Sequence, residues 1–135
     1  MLFRSDIDQA NMIMKNFPWL DFYIVEVTEL KLTLYGTMDS SIGKQIEIEF
    51  HNISYIDMPM SWKADLSVDA PISMTPTKKL SKKIMLRYLD NGSGNMYEFF
   101  AEAFTGNLIY RIFADRFSFA YINHPEYSRW GMKGF

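Results

Sequence analysis

Glu98 and Glu102 stand on either side of Phe99 and Phe100. Two carboxylates beside aromatic rings are the equipment with which glycosidases protonate a leaving oxygen and attack a sugar. Their spacing argues against that use. Four residues of strand cover roughly 13 Å, beyond the roughly 5 to 9.5 Å that either glycosidase geometry requires. On a helix the two would be repelling neighbours on a solvated face.

His51 and His124 are the two histidines of the chain. Catalytic zinc ordinarily takes three protein ligands, so both rings would have to converge with a carboxylate such as Asp57 or Asp115. His124 precedes Pro125 in a loop pattern, and both histidines read as surface or turn residues. No cysteine is present and no serine elbow is visible, which leaves nucleophilic hydrolysis without machinery. Gly92-Ser93-Gly94 begins like a dinucleotide fingerprint, but Tyr97 occupies the third glycine position and no βαβ unit surrounds it. It reads as a turn. The pattern predicts no enzyme, no catalytic residue, no metal site and no cofactor.

Charge is the more informative signal. The 135 residues carry a net charge of −2, yet residues 1 to 67 hold 5 Lys/Arg against 10 Asp/Glu while residues 68 to 135 hold 9 against 6. Two ordinary solvated faces are the plainer reading; the functional one is an acidic face built from Glu26, Glu29, Glu47 and Glu49, the candidate partner-binding site, suited to a basic surface. The cluster Lys78, Lys79, Lys82 and Lys83 offers phosphate contacts that Arg87 would extend, but it reads better as a solvated gatekeeper ahead of an aggregation-prone strand. A pI of 5.6 argues against general nucleic-acid binding. No run of 18 apolar residues exists for a membrane span, and neither membrane nor nucleic acid is expected as a partner. The absence of cysteine and of an apolar leader after Met1 predicts a cytoplasmic setting.

These side chains need a scaffold, and the aromatic share of 16% favours strands. Ser5-Asp6-Ile7-Asp8 has the spacing of a capping box, and Ile7, Ala10, Met14 and Phe17 recur at helical period, predicting a helix over 5–16 that Pro18 ends. Phe22 to Val27 and Leu30, Leu32 and Leu34 read as one strand bulged near Thr28. Turn residues 37–43 then lead to Ile46, Ile48 and Phe50. Met60 to Ala70 alternates without a break, the clearest period of two in the chain. Pro71 and Pro76 bracket a loop, and Ile84–Leu89 reads as a strand closed by the Gly-rich turn 90–95. In 96–104 Met96, Phe99, Phe100 and Ala103 fit a helix face, but the Thr105-Gly-Asn107 turn joins the segment to 108–113 and makes it a strand. Phe117, Phe119 and Tyr121 form a last strand before a tail at 123–135.

The expectation is one α+β domain over 1–135, mainly β: a 5–16 helix, a β-rich body over 22–122 and the tail. About seven largely antiparallel strands would make a curved sheet, barrel or sandwich. Leu30, Leu32, Leu34, Ile46, Ile48, Phe50, Trp62, Leu66, Val68, Ile112 and Phe119 should face inward.

Phe22-x-x-x-Glu26-Val27-x-x-Leu30-x-Leu32 near the start, and Tyr97-x-Phe99 with Thr105-Gly-Asn-Leu-Ile and Ala114-Asp-Arg-Phe-Ser-Phe119 near the end, resemble the immunity protein 50 group of bacterial polymorphic toxin systems. Tyr23 and Ile24 stand where that group has a His-Asp step. The resemblance implies a cytoplasmic protein that binds and neutralises a partner toxin with no catalysis of its own, and the acidic positions would suit a basic toxin domain. The residues themselves also point to a protein-binding module. A barrel or cleft holding a small apolar ligand is the alternative, because Met-rich aromatic interiors can leave a cavity. The strand opening at Lys83 and the 108–122 segment would offer edges for a homodimer.

Overall fold

The alternating runs pair as antiparallel ladders, and the computed structural model, which describes residues 2–5, 7–39, 41, 43–88, 94–103 and 107–122, joins them in one sheet. Its elements in chain order are β1 (Leu2–Ser5), α1 (Ile7–Met14), β2 (Asp21–Val27), β3 (Lys31–Thr37), β4 (Ile46–Asp57), β5 (Ser61–Lys63) and β6 (Ile72–Pro76). A 3-10 turn (Thr77–Lys79), α2 (Lys82–Arg87), β7 (Asn95–Glu102) and β8 (Asn107–Ile122) follow. The strand order is β5-β2-β3-β4-β8-β7-β6, with β1 beside the end of β8. The expected β-rich α+β class is the one observed, a sheet curled into a half-barrel with one longer helix against it.

Curling brings distant edges together. Ala64, directly after β5, bridges Ala101 of β7, so the β5 edge of the sheet meets its other end. The centre is filled by Phe22, Leu32, Leu34, Ile46, Ile48, Phe50, Phe99 and Phe119, each fully buried. Phe50 packs its ring against Tyr97 at 4.8 Å, Phe99 at 5.9 Å and Phe117 at 5.7 Å, which knits β4, β7 and β8. Gly36 is required opposite Phe22, because a Cβ there would lie 2.9 Å from the phenylalanine ring. From α1, Ala10, Ile13 and Met14 join the same core while Met12 faces solvent.

Six segments depart from the sequence pattern. The chain from Phe22 to Gly36 is two strands, not one, because the Thr28 hydroxyl accepts from Leu30 N at 3.3 Å and Lys31 N at 3.1 Å and folds the chain back. The bulge sits earlier, between Ile24 and Glu26, and Leu30 at the turn is 68% exposed rather than internal. The 60–70 run is a strand only over Ser61–Lys63; Asp65 Oδ1 then accepts from Ser67 N at 3.0 Å and starts an excursion. Leu66 and Val68 on that excursion are half-buried.

The supposed loop between Pro71 and Pro76 is β6, which pairs Ile72 to Phe99 and so resumes the same edge of β7 that Ala64 left at Ala101. The expected strand 84–89 is helix α2, capped by the Ser81 hydroxyl accepting from Ile84 N at 3.3 Å. The two last strands are one of 16 residues, and the helix starts at Ile7 because Ser5 belongs to β1, paired with Phe119. The tail 123–135 and most of the 90–95 turn lie outside the described residues.

Two side chains test this packing. Asn11 is buried, with Nδ2 donating to Ile72 O at 2.7 Å and Oδ1 accepting from Ile72 N at 2.9 Å. Asn11→Ala should lower stability by about 2 to 4 kcal/mol, because two buried backbone groups lose their partners. The urea midpoint should fall at unchanged slope. Trp62 touches Phe22, Phe99 and Tyr110 at 5.7, 5.4 and 5.4 Å between ring centres. Trp62→Ala should cost about 3 to 5 kcal/mol. Trp62→Phe should cost well under half of that, since the buried Trp62 Nε1 has no hydrogen-bond partner among the described residues to lose.

Candidate functional site

Three of the four expected acidic residues share the outer face of β2, β3 and β4. Glu26 and Glu49 both lie opposite Thr33, one on each side, which places them about 10 Å apart across two strand spacings. Glu47 follows on β4 opposite Tyr35, and Glu29 sits in the β2–β3 turn. The face is balanced rather than uniformly acidic. Glu47 pairs with Lys44 at 3.4 Å, Glu49 meets His51 Nε2 at 3.5 Å, and Glu26 lies 3.8 Å from Lys31. Partial burial of Lys44 opposes its charge, but Tyr35 and Glu47 outweigh it and raise its pKa. Glu47 and Glu49 are thus engaged and only 23% exposed, leaving Glu26 and Glu29 as the accessible carboxylates.

Those two border an edge that stands open among the described residues. β5 covers β2 only from Asp21 to Tyr23, with one further bond from Ile24 N to Met60 O at 2.9 Å. Past that point Val25 and Val27 are 44% and 52% exposed, and Leu30 and Met60, at 68% and 70%, extend the apolar surface. Sequence reasoning missed these four as surface residues. The signal was Thr28, whose hydroxyl makes the turn that lifts Leu30 out of the core.

A cleft of about 630 Å³ opens elsewhere, lined by Asp8 and Asn11 of α1, Met74 of β6, Tyr97 of β7, and Asp115 and Arg116 of β8. It exists because β8 loses one neighbour before gaining the next. The β7 ladder ends at Ala114 and the β1 ladder begins at Phe119, so among the described residues, residues 115–118 pair only with β4. Asn95 Nδ2 donates to Asp115 O at 2.9 Å and Asn52 Nδ2 to Asp115 Oδ2 at 3.1 Å, fixing that corner. Gly94, at φ +83°, lies so close that a Cβ would stand 3.0 Å from Ala114 O.

The residues that could have formed a hydrolytic centre are dispersed. Glu98 binds Arg111 at 2.8 Å, Glu102 pairs with Lys63 at 3.5 Å, Asp57 lies opposite Arg111, and Asp115 is held by Asn52. Among the described residues His51 meets Glu49, which is none of these carboxylates, and His124 lies outside the described residues. Among the described residues no three His, Asp or Glu side chains are grouped to hold a metal.

The Tyr97 phenol at the cleft is pushed up to about 12 by burial. Its folded form therefore stays protonated where an unfolded tyrosine, near 10, already ionises. Stability from this group is complete below about pH 10 and declines between about 10 and 12. Subtracting the unfolding curve of Tyr97→Phe from that of the unaltered chain should leave a loss confined to that interval, and a flat difference would show that the phenol is solvated. No family model matches the chain, and neither a curated protein nor a solved structure does.

Proposed function

We propose that the chain is a protein-binding module that meets a basic partner with the β2–β3 tip and the adjoining edge of β2. The observation that carries this reading is the apolar group Val25, Val27, Leu30 and Met60, exposed along an uncovered strand edge and bordered by Glu26 and Glu29. Uncovered edges and contiguous apolar patches are costly in a free protein and are where partners add strands or bury anchors. A second copy pairing edge to edge about Glu26 would set two carboxylates against each other, so a basic partner suits the edge better than a homodimer. The resemblance to the immunity protein 50 group supports a toxin domain as that partner and neutralisation as the outcome.

Tethered protein should retain a polypeptide whose capture is lost with Val27→Asp/Leu30→Asp, a pair of exposed sites that should leave the circular dichroism unchanged. Against the isolated partner, this pair should speed dissociation at least about tenfold, as expected for central apolar anchors. Glu26→Lys/Glu29→Lys should instead slow association and weaken its salt dependence. Equal retention by both variants would remove the tip from consideration.

The cleft favours a second reading, a small-ligand site. Its volume of about 630 Å³ falls within the range of ligand pockets, and Ile7, Ile72, Met74 and Phe117 give it apolar walls. The half-barrel centre is instead occupied by fully buried side chains such as Phe22, Phe50, Phe99 and Phe119. A small mass retained in native mass spectrometry, with no polypeptide, would favour the cleft over the tip.

A further inference from the structure

The lysines at 78–83 have no strand to guard. Gatekeeper residues flank an aggregation-prone strand, and the segment that follows them is helix α2, none of whose side chains is buried. Residues 78–87 hold five cations, Lys78, Lys79, Lys82, Lys83 and Arg87, with no carboxylate among them, in a chain whose net charge is −2. All five are exposed, and none takes part in the ion pairs found among the described residues. The platform under them is fixed. The Tyr88 ring packs on Tyr55 at 4.9 Å and on Phe113 at 5.0 Å, and Thr77 N and Oγ1 both donate to Gly94 O, at 3.1 and 3.3 Å.

At about 100° per residue, Lys82, Leu86, Lys83 and Arg87 follow one another around a single arc of α2 of roughly 140°. Leu86 therefore projects from between two lysines, and it is 73% exposed. Ile84 adds a further exposed apolar side chain at 38%. We propose that this segment is a docking surface for an anionic lipid bilayer, on which the cations meet headgroup phosphates while Leu86 enters the acyl boundary. Nucleic acid would reward the cations but not Leu86, since phosphates and base edges give an aliphatic side chain nothing that water does not. The missing 18-residue apolar run excludes a spanning helix, not this surface contact, and among the described residues no helix is long and apolar enough to cross a bilayer.

The experiment is co-sedimentation with vesicles of phosphatidylcholine alone and of phosphatidylcholine with about one-third phosphatidylglycerol. The chain should sediment with the anionic vesicles only, and added salt should release it. Lys82→Glu/Lys83→Glu should reduce binding more than about tenfold, and Leu86→Ser about tenfold, at an unchanged urea midpoint. Lys78→Glu/Lys79→Glu, outside the helix, keeps the test intact if α2 is disturbed, and it should also weaken binding. Failure of the unaltered chain to bind anionic vesicles at low salt would overturn the proposal. So would Leu86→Ser binding as well as the original, or single-stranded DNA being held more tightly with the same lysine dependence. Either result would mark a site for polyanions in general.

Discussion

Ile72 turns its backbone N–H and C=O away from β7, and the buried amide of Asn11 answers both, at 2.9 and 2.7 Å. Much of the fold hangs on that contact. The chain leaves the β7 edge at Ala64 and returns to it at Ile72, two residues further along β7 but eight further in sequence. Such an excursion has no ladder of its own to hold it. Asp65 N donates to Phe100 O at 3.0 Å and Phe100 N to Pro71 O at 2.9 Å, pinning its two feet, while Asn11 closes the far side of the returning strand. Because a buried unpaired peptide group costs about 1 to 3 kcal/mol, the same amide that anchors α1 also makes the β6 edge tolerable inside the molecule. Asn11 in turn walls the cleft, so the cleft and the sheet's last edge share one support.

A second constraint sits where β4 and β8 change the faces they present. Ile46, Ile48 and Phe50 point inward, as do Phe117 and Phe119, yet beyond the corner it is Ile53, Ile112 and Ala114 that join the core. The β4–β8 register slips between Ile53 and Tyr55, and just ahead of it Asn52 takes φ 55°, a conformation asparagine tolerates better than most residues. The Asn52–Asp115 hydrogen bond ties the two strands together ahead of that slip. The same region receives the β2–β3 turn, since Asn52 N donates to Leu30 O at 2.9 Å. The exposed tip is therefore braced on the corner and does not stand free.

What the residues disclosed by themselves follows from how local each determinant is. Period-two alternation in Leu32–Leu34 and Ile46–Phe50 reported burial on one face, and those strands are where the pattern placed them, whereas Met96, Phe99, Phe100 and Ala103 sit at helical spacing and only the turn toward 108–113 marked that segment as a strand. Alternation failed at 64–70 because Ala64 and Leu66 keep the pattern while Asp65 and Ser67, an Asx turn in plain view, bend the chain. It failed at 84–87 for a different reason: Met85, Leu86 and Arg87 are good helix formers, and Ser81 is a good cap. The strand reading leaned on the Gly-rich turn at 90–95 that closes the segment. The acidic face was legible as composition, but which of Glu26, Glu29, Glu47 and Glu49 stay available depended on Lys44 and His51 lying beside Glu47 and Glu49 in space. The cleft was not legible at all, because it arises where two ladders on β8 fail to meet, and only pairing register creates that.

The tip and the cationic segment are closer than their separation in sequence suggests. Asn52 receives the tip, and Tyr55, three residues on, holds Tyr88 at the end of α2. Three residues of β4 cover about 10 Å. An anionic surface approaching α2 would thus also approach Glu26 and Glu29, and a basic partner seated on the tip would cancel those charges. The two binding events would favour each other, and by linkage each to the same degree. Screening limits the size of the coupling, because at physiological salt the Debye length is about 8 Å, shorter than the strand between the two anchors. The cooperation belongs to low ionic strength, and at cellular salt the two surfaces act nearly independently.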